Sequence, residues 1–289
     1  MKKTTRLRSL IEDPKLLIMP AAFDALSARL AAEAGYEAVQ CSGLAIAATE
    51  GVPDFSILSM REFVDRTKVM ARAVDVPVMG DADTGYGSAV NVWHCVKAYE
   101  EAGAAGINLE DQVFPKRCGR IAGKEIVSIE EMQSKIEAAV DARKDADFVI
   151  NARTDGLSVV GMDEAVERGN AYLSAGATMA FIQGVSTLEE VKELVSRIRG
   201  PVAMNLVEEK EGCAEMTFAE LEALGVARVG LSCALVLGAI RGMRQALQRV
   251  RQWGGTRVDP EVFAPFGDLQ TLGGMPEARA LEARFVRRA

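Results

Sequence analysis

The chain has 289 residues, 49% of them hydrophobic and 26% charged, which is ample material for a packed core. Its net charge of −7 argues against a nucleic-acid surface, since phosphate binding wants clustered Lys and Arg. The five cysteines (Cys41, Cys95, Cys118, Cys213, Cys233) are odd in number and form no C-x-x-C pair. That pattern fits free thiols in a reducing compartment rather than disulfides or a zinc site. Residues 1–10 are basic, but no long apolar run follows. The stretch Leu16–Ala22 is too short to span a membrane and contains Pro20, so a cytoplasmic protein with no membrane partner is expected.

In chain order, eight short apolar runs read as strands: Leu16–Pro20, Ala38–Ser42, Pro77–Asp83, Gly106–Glu110, Phe148–Arg153, Met179–Gln183, Val202–Asn205 and Val226–Leu231. Amphipathic segments lie between them, clearest at Ile129–Arg143 and Asp163–Ala175. A repeated phrase joins helix to strand: EAGYEAV (33–39), EAGAAGINL (101–109), SAGATMAFI (174–182) and EALGVARVGL (222–231). Its glycine supplies a left-handed helix cap, and the run that follows is a buried parallel strand. Helix starts are marked at Ser59, Ser128, Thr187 and Thr217, each with Glu three residues later. Eight such units favour a closed (β/α)8 barrel, with an open doubly wound sheet as the alternative. No linker or low-complexity stretch divides residues 1–289, so one barrel domain is expected. A helical extension follows from about 255, including Pro276–Arg288.

Active sites of such barrels form at the C-terminal ends of the strands, and here those ends are polar: CSG (41–43), GDADTGYG (80–87), NLEDQ (108–112), NARTD (151–155), FIQ (181–183) and MNLVE (204–208). Asp81 and Asp83, two apart on a strand, are expected to face the same way, with Glu110 beside them. Three carboxylates at one mouth repel unless a cation is present, and Mg2+ is the natural choice, with Mn2+ as a substitute. The competing reading makes them solvated loop acids or salt-bridge partners. Arg153 likewise has two readings: a fork for a substrate carboxylate, or an ion pair with Asp155. Gly85-Tyr86-Gly87 lacks the third glycine of a dinucleotide loop. His94, the only histidine, belongs on the helix after Ser88, away from the mouth. The basic, glycine-rich segment 115–124 suits a loop that folds over a site. Within it, Cys118 has cationic neighbours expected to favour thiolate.

S-G-L (42–44), V-P-D (52–54), G-D-A-D-T-G-Y-G, L-E-D-Q, K-R-C-G and A-R-T-D occur in the order of the isocitrate lyase and phosphoenolpyruvate mutase superfamily. The chain resembles its 2-methylisocitrate lyase, 2,3-dimethylmalate lyase and carboxyphosphonoenolpyruvate phosphonomutase members from about Thr5 onward. The resemblance implies the barrel, Mg2+ and a homotetramer with an exchanged C-terminal helix. It implies metal-site roles for Asp81 and Asp83, with Asp54 and Glu110 completing the outer environment. Ser42, Gly43 and Leu44 would hold a substrate carboxylate, with Arg153, Gly119, Gln183 and Asn205 also facing substrate. Cys118 would be the acid that protonates the leaving carbanion. Several positions depart from the family pattern. Arg120 replaces a His and Gln183 a Glu. Leu235 replaces an Arg that serves an extra carboxylate, Gly212-Cys213 a Thr-Pro pair, and Gln40 a Tyr. These changes point away from 2-methylisocitrate toward a smaller substrate. The expected activity is Mg2+-dependent carbon–carbon cleavage of a substituted malate. The alternatives are a phosphonomutase, a 2-keto acid decarboxylase or hydrolase, and a catalytically weak carboxylate-binding protein.

Overall fold

The computed structural model describes residues 1–207, 215–257 and 259–286. Eight parallel strands close into a barrel in chain order: β1 (Leu17–Ala22), β2 (Val39–Cys41), β3 (Val78–Asp81), β4 (Gly106–Glu110), β5 (Val149–Thr154), β6 (Met179–Ile182), β7 (Val202–Leu206) and β8 (Arg228–Leu231). The ring closes where β8 pairs with β1, from Leu17↔Arg228 to Pro20↔Leu231. The open-sheet alternative is thereby excluded. The four repeated glycines, Gly35, Gly103, Gly176 and Gly225, all have φ between 86° and 102°, which ends each helix and turns the chain into the next strand. Ser59, Thr187 and Thr217 form capping boxes with Glu62, Glu190 and Glu220, and the Ser128 hydroxyl accepts from the Glu131 N–H.

The barrel floor is sealed by the helix Lys3–Glu12. Its Leu7 and Ile11 pack with Leu17, Met19, Met79, Val149 and Met179 from the strand starts. Burying each of those two side chains contributes about 1.5–3 kcal/mol. The plug leaves only the opposite end of the barrel open to ligand. A second apolar layer lies outside the strands, where Ile182, Val202, Met204 and Val229 meet Val191, Leu194 and Leu221 of the surrounding helices. Strand alternation follows from this: Val229 faces the helices, while Arg228 and Gly230 face the barrel interior.

The chain divides into two compact units, Met1–Ala234 and Leu235–Ala289. The second holds the helices Ala234–Trp253, Phe266–Leu272 and Met275–Phe285, the last two packed on each other. The end of the expected helix Pro276–Arg288, Glu208 of the MNLVE strand end and the Gly212-Cys213 pair lie outside the described residues. Among the described residues, no helix is long and apolar enough to cross a membrane. Cys41, Cys95, Cys118 and Cys233 are buried and form no disulfide among the described residues.

Candidate active site

The strand ends converge on one cavity at the barrel mouth. Ser42, Gly43, Leu44, Asp54 and Asp81 line one side, and Cys118, Gly119, Arg153, Gln183 and Asn205 the other. These residues stem from six different strand ends, so the closed barrel itself brings them together. Asp83 and Glu110 do not line the cavity. Both are buried just behind it.

The acid side is built by backbone turns as much as by strands. β3 ends at Asp81, and Asp83 lies beyond it in the left-handed region at φ 45°. The expectation that the two share a strand face is therefore corrected: a turn places Asp83, not strand periodicity. That turn is fixed by the Gly85 N–H donating to the Ala82 carbonyl at 2.8 Å and the Glu110 N–H to the Asp83 carbonyl at 2.8 Å. Tyr99 Oη donates to the Asp81 carbonyl. After β2, Ser42 caps the helix Gly43–Thr49, and the Gly43 N–H donates to Asp81 Oδ2 at 2.9 Å. A Cβ on Gly43 would sit 2.6 Å from that oxygen, so only glycine allows the approach. We expect Gly43→Ala to fold while losing tenfold or more in divalent-cation affinity, the scale on which displaced outer contacts act on metal ligands, as a calorimetric titration would show.

Lys116, which the sequence reading passed over, holds the acids together. Its Nζ lies 2.6 Å from Asp54 Oδ1 and 3.0 Å from Asp83 Oδ1, with only 4% of the side chain exposed. Burial disfavours its charge, but Asp83, Glu110 and Asp54 outweigh that and keep it firmly protonated. Burial pushes the Asp83 and Glu110 carboxyls upward, and their cationic neighbours Lys116 and Arg153 offset this only in part. Loop 115–124 is tied down around them: the Lys116 N–H donates to Ser56 Oγ at 2.9 Å, and the Cys118 N–H to the Asp54 carbonyl at 3.1 Å.

Arg153 satisfies its ion-pair reading and more. Nη1 lies 3.0 Å from Glu110 Oε2, its cross-strand partner in the β4–β5 register, and Nε lies 2.9 Å from Asp155 Oδ2. Lys124 Nζ closes the chain at 2.7 Å from Asp155 Oδ1. The guanidinium is thus held rigidly while still lining the cavity. Cys118 is corrected in one respect. Burial, the largest influence, raises its thiol above the ordinary value despite Lys116 and Arg153, so it is a protonated thiol rather than a thiolate. Arg120 also lines the cavity and donates from Nη1 to Cys233 Sγ at 3.3 Å. His94 is exposed on the helix Ala89–Glu101.

Whether a cation fits here is answered by the acids themselves. Oδ2 of Asp83 and Oε1 of Glu110 are buried without a hydrogen-bond donor, and Asp83 Oδ1 meets Lys116 Nζ. Asp81 lines the cavity and makes no ion pair among the described residues. Among the described residues, no three acidic, thiol or imidazole groups form a closed cage. That combination suits Mg2+, which takes one or two carboxylates and fills its remaining positions with water and substrate oxygens.

Fold and site together define a barrel enzyme with an acid-rich mouth, and comparison supplies its family. The chain matches the phosphoenolpyruvate phosphomutase family over residues 7–251 and belongs to the isocitrate lyase and phosphoenolpyruvate mutase superfamily. It is 39% identical over 287 residues to 2,3-dimethylmalate lyase of Eubacterium barkeri, covering 99% of each chain. Phosphoenolpyruvate phosphomutase from Streptomyces platensis subsp. rosaceus superposes with a TM-score of 0.93 at 36% identity, covering 98% of this chain and 99% of that one. Phosphonopyruvate hydrolase in complex with oxalate and Mg2+ superposes at 0.91 with 35% identity, covering 99% and 100%. Lyases, mutases and hydrolases therefore all stand among the relatives.

Proposed function

We propose that this enzyme is a Mg2+-dependent carbon–carbon lyase that cleaves a 2-hydroxy dicarboxylate of the substituted-malate type into a 2-keto acid and a second carboxylate. The observation that carries the reading is Cys118: a buried, protonated thiol on the same cavity wall as Asp81 and Arg153. Asp81 would hold the cation, with Asp54, Asp83 and Glu110 as its outer acids. When bound, the cation supplies Lewis-acid polarisation of the substrate's hydroxyl and carboxylate oxygens. Arg153, pinned by Glu110 and Asp155, orients a carboxylate through its free cavity face. The hydroxyl proton passes to solvent, and the hydroxyl-bearing carbon becomes the keto carbon as its bond to the next carbon breaks. That next carbon keeps the electron pair and takes the thiol proton of Cys118, which solvent then restores. Loop 115–124 limits water, which would otherwise compete for the carbanion. A homotetramer accords with the exposed Leu247, Phe266, Leu269 and Phe285 of the second unit, and light scattering should give about four times the 31.0 kDa chain mass.

Substrate size tests the reading. A carboxylate in a partly dry site needs donors or charge to offset its desolvation. Leu235 stands where the resemblance expects an arginine for a third carboxylate, and Gln183 offers both a donor and an acceptor where a Glu would only accept. We expect measurable cleavage of 2,3-dimethylmalate and a kcat/KM at least tenfold lower for 2-methylisocitrate. A clear preference for 2-methylisocitrate overturns this assignment of Leu235 and Gln183. The second reading, hydrolysis of a 2-keto acid or phosphonate, draws on Arg120, an added cation on the cavity wall. Oxaloacetate and phosphonopyruvate belong in the same screen. Binding of every substrate without turnover of any would select the carboxylate-binding alternative.

A further inference from the structure

Three arginines stand near the barrel mouth, Arg168 and Arg228 buried and Arg153 half-buried, and two of the three have acids to meet. Arg153 pairs with Glu110 and Asp155, and Arg168 with Asp111 and Glu164. The third, Arg228, is 0% exposed, points into the barrel from β8 and has no carboxylate partner among the described residues. Its Nε and Nη2 are buried without acceptors. It lies 5.5 Å from the Phe181 ring centre, and its Nη1 donates to Asn205 Oδ1 at 3.2 Å. Burial alone acts on this guanidinium and pushes it down to about 9, so it remains cationic at neutral pH.

A lone buried charge is costly, and such a group is retained where something else requires it. The surroundings are shaped around it. A Cβ on Gly230 would lie 2.1 Å from Asn205 Oδ1 and 2.7 Å from Arg228 Nη2, so the glycine makes room for amide and guanidinium to meet. A guanidinium only donates, which obliges Asn205 to turn Oδ1 toward Arg228 and leaves Nδ2 as its donor atom elsewhere. Asn205 and Phe181 both line the cavity, whereas Arg228 lies beneath them. Charge is therefore divided across the mouth. Asp54 and Asp81 face the cavity from the β2–β3 side. On the β7–β8 side stands an amide backed by a cation with no acid partner among the described residues.

We propose that Arg228 is a positioning residue for substrate recognition, fixing Asn205 as a donor and placing positive charge beneath the β7–β8 side of the cavity, where the substrate's second carboxylate binds. This rests on the dicarboxylate reading above, but its test is binding rather than turnover. The Mg2+-loaded full chain is titrated with oxalate, which reaches only the acid side, and with malate, which extends beyond it. Arg228→Met should fold with an unchanged or higher melting temperature, since an unpaired buried charge has been replaced by an apolar chain of similar length. Oxalate affinity should stay within twofold and malate affinity fall at least tenfold. Arg228→Lys should recover part of the malate affinity, and Arg228→Gln should not. That pair carries the test should Arg228→Met fail to fold. With any hydroxy dicarboxylate that turns over, the loss should fall on KM, with kcat within a few-fold. Equal weakening of oxalate and malate, or no weakening of malate, overturns the proposal. Wild-type enzyme that shows the ligand split but cleaves no hydroxy dicarboxylate overturns the lyase reading and leaves this one standing.

Discussion

Asp83→Asn should cost at least about a thousandfold in kcat/KM while leaving the barrel folded, on the scale of removing a preorganised electrostatic group from an active site. Asparagine has the same shape and tolerates the left-handed backbone that Asp83 adopts at φ 45°, so the substitution removes charge with little strain. The lost charge is one of two that hold Lys116 Nζ, whose remaining ion-pair partner would be Asp54. With one acid fewer, the mouth attracts a divalent ion less strongly, and Mg2+ affinity should fall by tenfold to a hundredfold. Circular dichroism and a melting curve check the fold, and calorimetric titration checks the metal. Full activity of the wild-type enzyme after exhaustive chelation would refute the metal assignment altogether.

The parts of this architecture that were legible in the sequence are those governed by local chemistry. Left-handed glycines and capping residues act over a few positions, so all eight strands were placed, β4 at its true boundaries. Boundaries slipped where pairing decides them. β1 runs past Pro20 to Ala22 because Ala21 and Ala22 pair with β2, a partner invisible in the segment itself. Two further helix caps, Asp24 with Ser27 and Ser88 with Asn91, escaped a rule that looks for Glu or Gln. At the site, Asp81, Asp83, Glu110 and Cys118 stood out because their motifs are contiguous, whereas Asp54 entered only through the family resemblance. Lys116 was missed because in PKRCGR it reads as one more surface cation, and only the fold brings Asp54 and Asp83 to it. Arg228 was missed because one arginine in the run Val226–Leu231 does not break its apolar character. Its lack of an acidic partner among the described residues is a property of the closed barrel. The Glu110–Arg153 pair likewise depends on strand register, which short runs do not specify.

Cys118→Ser should lower turnover about a hundredfold or more and leave Mg2+ affinity within a few-fold, the effect of losing a positioned general acid. The hydroxyl keeps a proton in nearly the same place, but it is a far weaker acid than a thiol and gives that proton up less readily. Burial already raises the Cys118 thiol, and Asp54 raises it further, while Lys116 and Arg153 act in the opposite sense. The sign of the pH dependence follows from this. The acid works while protonated, so turnover should persist through neutral pH and decline only as the solution becomes alkaline enough to ionise the raised thiol. In Cys118→Ser that alkaline limb should vanish together with most of the rate. Cys118 is held at its backbone by Asp54 and Ile121, and its sulfur meets the Arg120 backbone N–H, a bond that a serine oxygen can also accept, so the substitution leaves loop 115–124 anchored. A large loss in kcat with an intact metal site therefore isolates proton delivery from binding. Near-normal turnover of 2,3-dimethylmalate in Cys118→Ser would remove the thiol from the chemistry and assign protonation of the carbanion to another donor.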